Sequence, residues 1–157
     1  MSVQSSESSH PLLPHTDEIA GSATDTLLLI GRVLIGWLFL TSAWAKFMGM
    51  SGYVAYLTNL KVPNPEFMSW IGAPVEFLIG ALLILGLATR YAALLCLLFL
   101  IVATGLAHRY WEYPPAQMGA QYNNFIKNLA IFGGTLLLFV AGPGRFSLDR
   151  ILSKKGR

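Results

Sequence analysis

Four long apolar segments, separated by short polar connections, make up most of this chain. We predict membrane-spanning helices at about residues 27–47, 70–89, 91–108 and 125–142. Each approaches the roughly 20 mostly apolar residues that a helix needs to cross the hydrocarbon core of a bilayer. Tryptophan and tyrosine residues gather near several segment ends, as expected at membrane interfaces. The pattern predicts an all-α protein, an integral membrane four-helix bundle; a buried bundle in a soluble protein is the weaker alternative.

The composition supports the membrane class and leaves room for one domain. Of the 157 residues, 54% are hydrophobic and only 12% are charged, which is too little polar surface for a soluble globule of this size. We predict a disordered tail at residues 1–26, which are rich in serine and contain no lysine or arginine. The membrane domain is predicted at residues 27–152 and a basic C-terminal tail at residues 153–157.

The distribution of lysine and arginine predicts the orientation in the membrane. If both termini lie inside, the inner side carries seven of these residues and the outer side four. The inner set is Arg32, Arg90, Arg145, Arg150, Lys154, Lys155 and Arg157, and the outer set is Lys46, Lys61, Arg109 and Lys127. Because basic residues favour the cytoplasmic side, we predict that both termini are cytoplasmic. The net charge of +3 then lies mainly beside an anionic leaflet, so we expect the lipid bilayer, and no nucleic acid, as a partner.

The connections between the segments carry structure of their own. Apolar residues recur at helical spacing in 53–60, before Pro63 and Pro65, which predicts a short helix on the outer interface. Only residues 88–90 separate the second and third segments, which predicts a tight antiparallel helical hairpin. The outer loop at residues 111–121 is a second possible cover over the same end of the bundle.

Several polar residues interrupt or end the apolar segments, and antiparallel folding places most of them at one depth near the outer face. A charge at the centre of a spanning helix costs about 2.5–3.5 kcal/mol on insertion scales, so it needs a structural or functional reason. The candidate ligand-binding residues of this layer are Lys46, Glu76, His108, Asn124, Lys127 and Asn128. We predict that three cations, from the first, third and fourth segments, can approach the single carboxylate of Glu76.

The spacing of residues within the helices supports this inward orientation. Arg32, Gly36, Phe39, Ala43 and Lys46 follow a four-three spacing that places them on one helix face. Gly72 and Gly80 lie one turn on either side of Glu76, where small residues permit close approach of a neighbouring helix.

Two interpretations of the polar layer stay open. In the first, Glu76 forms a structural ion pair with Lys46 or Lys127, or the lysines extend to the interface on their own. In the second, the excess of donors binds a polar ligand such as a quinone carbonyl or an anion. His108 is either an interfacial hydrogen-bonding residue or a proton relay.

Residue counts exclude several chemistries. Cys96 is the only cysteine, so an intrachain disulfide relay and a cysteine-rich metal site are excluded. We predict no metal site, and we find neither a nucleotide-binding phosphate loop nor a GxSxG nucleophile motif. If the protein takes part in redox chemistry, the electrons belong to a bound ligand or to a partner.

The end of the fourth segment predicts a structured inner end. Gly142 and Pro143 end the membrane helix, and Ser147 is placed to cap a short helix with Asp149 in its first turn. We predict that Asp149 pairs with Arg32, Arg90 or Arg145 in a structural charge lock.

Taken together, these motifs resemble the DoxX family of small four-helix bacterial inner-membrane proteins, over about residues 27–152. The resemblance lies in Arg32, Lys46, Pro74-Val75-Glu76, Gly80, Leu85-Gly86-Leu87-Ala88-Thr89-Arg90, Asn124-x2-Lys127-Asn128-Leu129-Ala130 and Gly142-Pro143-Gly144-Arg145-x-Ser147-x-Asp149. It implies a multi-pass protein of the bacterial inner (plasma) membrane. The resemblance assigns no catalytic residue.

What the resemblance implies about function is a choice between two roles. Relatives include DoxD-type subunits of thiosulfate:quinone oxidoreductases, and mycobacterial members are associated with membrane complexes that contain superoxide dismutase and a sulfurtransferase-like protein. We therefore expect a membrane subunit of a redox or oxidative-stress complex, with an oxidoreductase partner, quinone as the candidate cofactor and homo-oligomers as a further option. The alternative is a non-enzymatic scaffold or assembly factor whose charges are structural. A small transporter is a weaker third option, since no discontinuous helix pair is evident.

Overall fold

The computed structural model describes residues 14–155, which form six α-helices and one short 3-10 turn. The helices are α1 (Pro14–Met48), α2 (Met50–Asn59), α3 (Pro65–Leu85), α4 (Thr89–Ala107), α5 (Pro115–Ala141) and α6 (Leu148–Lys155), and the 3-10 turn is Tyr110–Glu112. Within the described chain, α1, α3, α4 and α5 are long and apolar enough to cross a membrane. The predicted all-α membrane bundle of four spans is confirmed.

The helix boundaries differ from the predicted ones mainly at two N-terminal ends. Helix α1 begins at Pro14, so residues 14–26 are helical where a disordered tail was predicted, and residues 1–13 lie outside the described chain. Helix α5 begins at Pro115, ten residues before the predicted start of its span. Both starts have a physical reason, because proline is favoured in the first turn of a helix, where its missing N–H is not needed.

Three predicted local features are present. The short helix predicted between the first two spans is α2, the second and third spans are joined by the tight turn Gly86–Ala88, and Ser147 caps α6. In that cap the Arg150 amide donates to Ser147 Oγ at 3.3 Å. Helix α6 also includes residues 153–155 of the predicted basic tail.

Helices α1 and α3 pack with their backbones in contact. A Cβ atom added to Gly36 would lie 2.7 Å from the Gly80 carbonyl oxygen, and one added to Gly80 would lie 2.7 Å from the Leu40 amide nitrogen. Such distances are far below ordinary van der Waals contact, so only glycine fits at either position. The predicted face of α1 is confirmed, because Arg32, Gly36, Phe39 and Ala43 are buried and Lys46 is partly buried.

The opposite faces of the spans carry large apolar side chains that are exposed in the isolated chain. Trp37 of α1, Leu98 of α4 and Leu137 of α5 are each more than half exposed. On a soluble protein such a continuous apolar surface would be unstable in water. In this protein it is the surface that contacts the acyl chains of the bilayer.

The two ends of the bundle have different polar residues. We name them the Lys46 end and the Arg32 end after the α1 residues that lie there, because the side that faces the cytoplasm stays a prediction. At the Arg32 end, the Arg32 side chain is 2% exposed. Its guanidinium donates to the Pro143 carbonyl at 3.2 Å and to the Phe146 carbonyl. It therefore ties α1 to the α5–α6 connection.

The predicted charge lock at the Arg32 end is wrong in its pairing. The Asp149 carboxylate accepts hydrogen bonds from the Ala88 and Thr89 amides at 2.6 Å and 2.9 Å, so it caps the N-terminus of α4, where a negative charge is favourable. Between residues 14 and 155 it has no arginine within ion-pair distance. Arg90 donates instead to the Val140 carbonyl at 3.3 Å, and Arg145 pairs with Asp25 at 3.8 Å.

Candidate functional site

The polar centre of the Lys46 end is an ion pair between α1 and α3. Lys46 Nζ contacts the Glu76 carboxylate directly and donates to Ser42 Oγ at 2.8 Å. The Glu76 side chain is 6% exposed and the Lys46 side chain 24%. Side chains on a helix point toward its N-terminus, so Lys46, in the last turn of α1, reaches back into the bundle. The alternative in which Lys46 extends outward to the interface is wrong.

Glu76 lies deeper in its membrane-spanning helix than the predicted layer near the outer face. It is eleven residues from Pro65 and nine from Leu85, the two ends of α3, which corresponds to roughly 16 Å and 14 Å at 1.5 Å per residue. The Cα atom of Glu76 therefore lies close to the middle of its span, and its side chain points from there toward the Lys46 end. A charge at this depth needs a partner, and Lys46 supplies it.

Next to this ion pair is a cavity of about 440 Å³ between α1, α2, α3, α4 and α5. Most of its wall is apolar. The Phe39 and Phe99 rings, which both line it, pack edge to face with centroids 5.9 Å apart, and Val75, Leu100 and Ile131 continue the apolar wall. Five of the six candidate ligand-binding residues line the cavity, namely Lys46, Glu76, His108, Lys127 and Asn128. The sixth, Asn124, is outside the lining.

Helix α2 covers the cavity from the Lys46 end. Its residues Tyr53, Tyr56 and Leu57 line the space, and the Tyr53 ring lies 5.4 Å from Lys46 Nζ, a cation–π contact. The Tyr53 hydroxyl lies over Gly72, where a Cβ atom would be 2.6 Å away. Burial, followed by the negative charge of Glu76 and by Tyr56, raises the pKa of the Tyr53 phenol. Tyr53 is therefore held as a neutral hydroxyl beside the ion pair.

The opposite wall, from α4 and α5, has its own hydrogen bonds. Asn128 Nδ2 donates to Thr104 Oγ1 at 3.0 Å, and Lys127 Nζ donates to Asn124 Oδ1 at 3.2 Å. These contacts orient two nitrogen donors without neutralising the lysine. Both donors can still serve a ligand in the cavity, because an amide has two N–H groups and an ammonium three.

His108 takes part in this wall through the neighbouring loop. Its Nδ1 atom lies 2.8 Å from Gln121 Oε1 at the start of α5. Tyr113 covers the same end of α4, with its hydroxyl donating to the Ala107 carbonyl at 3.0 Å. These contacts place His108 as a hydrogen-bonding residue at the cavity rim.

The prediction that three cations approach Glu76 is wrong. In the described part of the chain, Lys46 is the only basic residue within 4 Å of the Glu76 carboxylate. Arg109 pairs with Glu112 at 3.0 Å, and Lys127 contacts its own helix. The reason is geometric: α1 and α3 touch backbone to backbone, whereas the cavity separates Glu76 from α5.

Sequence reasoning missed several residues of the site. Ser42 precedes Lys46 by four residues, a spacing that places both on one helix face, so this partner was detectable. Tyr53 was recognised as part of an interfacial helix but not as a site residue. Thr104 and Gln121 bear no local signal, because their partners are on other segments.

The comparisons with known proteins decide the family. The DoxX family model matches residues 27–109. The chain belongs to the DoxX family. Two relatives from Escherichia coli (strain K12) match most of both chains. The inner membrane protein YphA is 35% identical over 83% of this chain and 93% of its own length. The inner membrane protein YqjF is 36% identical over 83% of this chain and 95% of its own length.

A third relative, CatD of Bacillus subtilis (strain 168), has oxidoreductase in its name and is 38% identical over 50% of this chain and 55% of its own length. No solved structure matches significantly. With four spans and inner-membrane relatives, this DoxX protein is a multi-pass protein of the bacterial inner membrane in contact with the lipid bilayer.

Proposed function

We propose that this DoxX protein is a membrane subunit of a redox-related complex that binds a quinone or a related lipid-soluble molecule in the cavity beside Lys46 and Glu76. The observation that carries the proposal is the cavity itself. A space of about 440 Å³ falls within the roughly 300–1,000 Å³ typical of small-molecule sites. It also combines an apolar wall with a few converging polar groups, the pattern such sites share.

The polar groups suit the carbonyl oxygens of a quinone. Lys46, Asn128 and the Tyr53 hydroxyl all line the cavity and are hydrogen-bond donors. The apolar wall formed by Phe39, Phe99 and its neighbours suits the ring and the start of an isoprenoid chain. A ligand of this kind has one polar and one apolar end, as the cavity does.

The cavity is also accessible from the lipid side. Several of its lining residues are large apolar side chains that are themselves exposed on the membrane-facing surface: Leu38, Met68, Ile71, Val102 and Leu106. A molecule dissolved in the bilayer can therefore reach the site laterally. This favours a lipid-soluble ligand over a hydrophilic one.

The redox part of the proposal rests on a relative and on the cysteine content of the chain. The relative CatD bears oxidoreductase in its name, and the single cysteine, Cys96, is buried, so the chain has no dithiol to carry electrons. We propose that a partner oxidoreductase supplies them. Purification from native membrane in a mild detergent, followed by mass spectrometry of co-purifying proteins, tests this part. Recovery of no oxidoreductase under conditions that preserve the four-helix fold counts against it.

The ligand is tested by extracting the purified protein with organic solvent and measuring quinone per protein. We expect bound or exchangeable quinone in the wild type and less in Glu76→Gln and Lys46→Met. Lys154→Met is the matched control, because Lys154 is an exposed lysine on α6 at the opposite end. Absence of quinone binding in the wild type contradicts the proposal.

A non-enzymatic scaffold is the second candidate, and one observation favours it. Lys46 and Glu76 already satisfy each other's charge, so they need no ligand to be stable inside the bundle. In that case the same substitutions lower the unfolding temperature equally with and without added quinone. If quinone stabilises the wild type but not the variants, the ligand-binding role is supported.

A further inference from the structure

The charges that line the cavity do not cancel. Lys46 and Glu76 form a closed pair, and His108 contacts the neutral amide of Gln121. The other charged residue of the lining is Lys127. Across residues 14–155, no carboxylate lies within 4 Å of its ammonium group. The ammonium group donates to the amide oxygen of Asn124, which is uncharged. The cavity therefore carries one unneutralised positive charge.

The depth of Lys127 makes this charge costly. It lies fourteen residues before Ala141, the end of α5, or about 21 Å along the helix axis. With Ala141 placed at the hydrocarbon boundary of the Arg32 end, a core of about 30 Å puts the Lys127 Cα atom about 9 Å below the boundary at the Lys46 end. A lysine at such a depth is unfavourable unless water, headgroups or an anion solvates it.

We propose that the cavity selects a single-chain amphiphile with an anionic head group, a long-chain carboxylate being the simplest member, and that Lys127 binds the carboxylate. The inference rests on the proposed function, because it names the chemical class of ligand for the same cavity. The Asn128 amide, one residue further on, offers a second donor to the head group, and the apolar wall takes the chain. A volume of about 440 Å³ suits one chain rather than a diacyl lipid.

Charge complementarity is the reason for preferring an anion to a neutral ligand of the same shape. Lys127 is exposed in the isolated chain, so a ligand can reach its ammonium group, and a hydrogen bond between charged groups is roughly twice as strong as one to a neutral carbonyl. The anion also solvates Lys127, which a neutral quinone does only in part. Lys46 cannot supply the same selectivity, because Glu76 neutralises it.

The test compares three probes with the same purified protein in nanodiscs of zwitterionic phosphatidylcholine. Labelled palmitate is bound and then competed with methyl palmitate, which has the same chain without the charge, and with a short-chain benzoquinone. We expect palmitate to bind about tenfold more tightly than its methyl ester. Lys127→Met should bring that ratio to about one, Lys127→Arg should preserve it, and Lys154→Met should leave it unchanged.

The outcomes separate this inference from the proposed function. Equal affinity of the acid and the ester in the wild type overturns the inference, while benzoquinone binding leaves the proposed function standing. A preference for palmitate that survives Lys127→Met also overturns it, since the carboxylate is then bound elsewhere. If none of the three probes binds, both proposals fail. Far-UV circular dichroism and the Lys127→Arg variant separate a lost preference from a misfolded protein.

Discussion

The contact between Gly36 and Gly80 predicts that Gly80→Ala destabilises the protein strongly. A Cβ atom at position 80 would lie 2.7 Å from the Leu40 amide nitrogen, 2.8 Å from the Gly36 carbonyl oxygen and 3.1 Å from the Leu40 Cα atom. All three are backbone atoms and cannot rotate away. To restore ordinary contact at about 3.4 Å, α1 and α3 must separate by roughly 0.7 Å along their crossing.

The magnitude follows from two opposing effects. Overpacking of a close-packed interior costs about 1–3 kcal/mol, and the rigid backbone contacts place this case near the upper limit. Replacing glycine with alanine in a helix returns up to about 1 kcal/mol. We therefore expect a net loss of about 2 kcal/mol for Gly80→Ala. Gly36→Ala should cost a similar amount, and the double variant should cost less than the sum, because both substitutions disrupt one contact.

The chain offers a matched control for this experiment. Gly105 in α4 has no atom within 4 Å of an added Cβ, so Gly105→Ala should leave the stability unchanged or raise it slightly. Reversible unfolding in mixed micelles, followed by circular dichroism as the fraction of denaturing detergent rises, gives the free energy difference. If Gly80→Ala is as stable as Gly105→Ala, the backbone contact between α1 and α3 is refuted.

Three further predictions concern the polar residues. Glu76→Gln should destabilise the protein by about 3 kcal/mol because it leaves the Lys46 charge unpaired. The double variant Lys46→Met, Glu76→Gln should recover part of this loss in the same unfolding assay. If the double variant loses as much stability as Glu76→Gln alone, the pairing is contradicted. Arg32→Met should cost about 2 kcal/mol by leaving two partly buried carbonyls without their donor. Unchanged unfolding would contradict a stabilising role of the guanidinium. Asp149→Ala should cost about 1 kcal/mol through loss of the cap on α4, detected as faster amide hydrogen exchange at Thr89, whereas Asp149→Asn should retain part of the protection.

The spans, the short interfacial helix and the buried face of α1 could be predicted because each depends on residues close together in the sequence. Hydrophobic periodicity located α2 and placed Gly36 and Phe39 on one face. The start of α5 was missed, since residues 115–121 lack a long apolar run and were assigned to the loop at residues 111–121. Helix α5 begins at Pro115. A proline in the first turn marks a helix start, but a hydropathy profile does not detect it.

The pairing of charges could be predicted only in outline. The sequence showed that Glu76 needs a cation but not which one, because the choice depends on how closely α1 approaches α3 and on the direction of the Lys46 side chain. The same limit explains the error at Asp149. Its carboxylate contacts the start of α4, about 60 residues earlier in the chain. A contact between residues so far apart in the sequence cannot be predicted from a local sequence pattern.

The backbone contact at Gly36 and Gly80 also restricts how the bundle can expand to admit a ligand. At these two glycines the helices meet through backbone atoms, which have no rotamers to rearrange, so α1 and α3 should move as one rigid body. Enlargement of the cavity then requires displacement of α4 and α5, or tilting of α2 about Gly49, which lies between α1 and α2. A covalent cross-link between α1 and α3 should leave ligand uptake unchanged. A cross-link between α1 and α5 should slow ligand uptake.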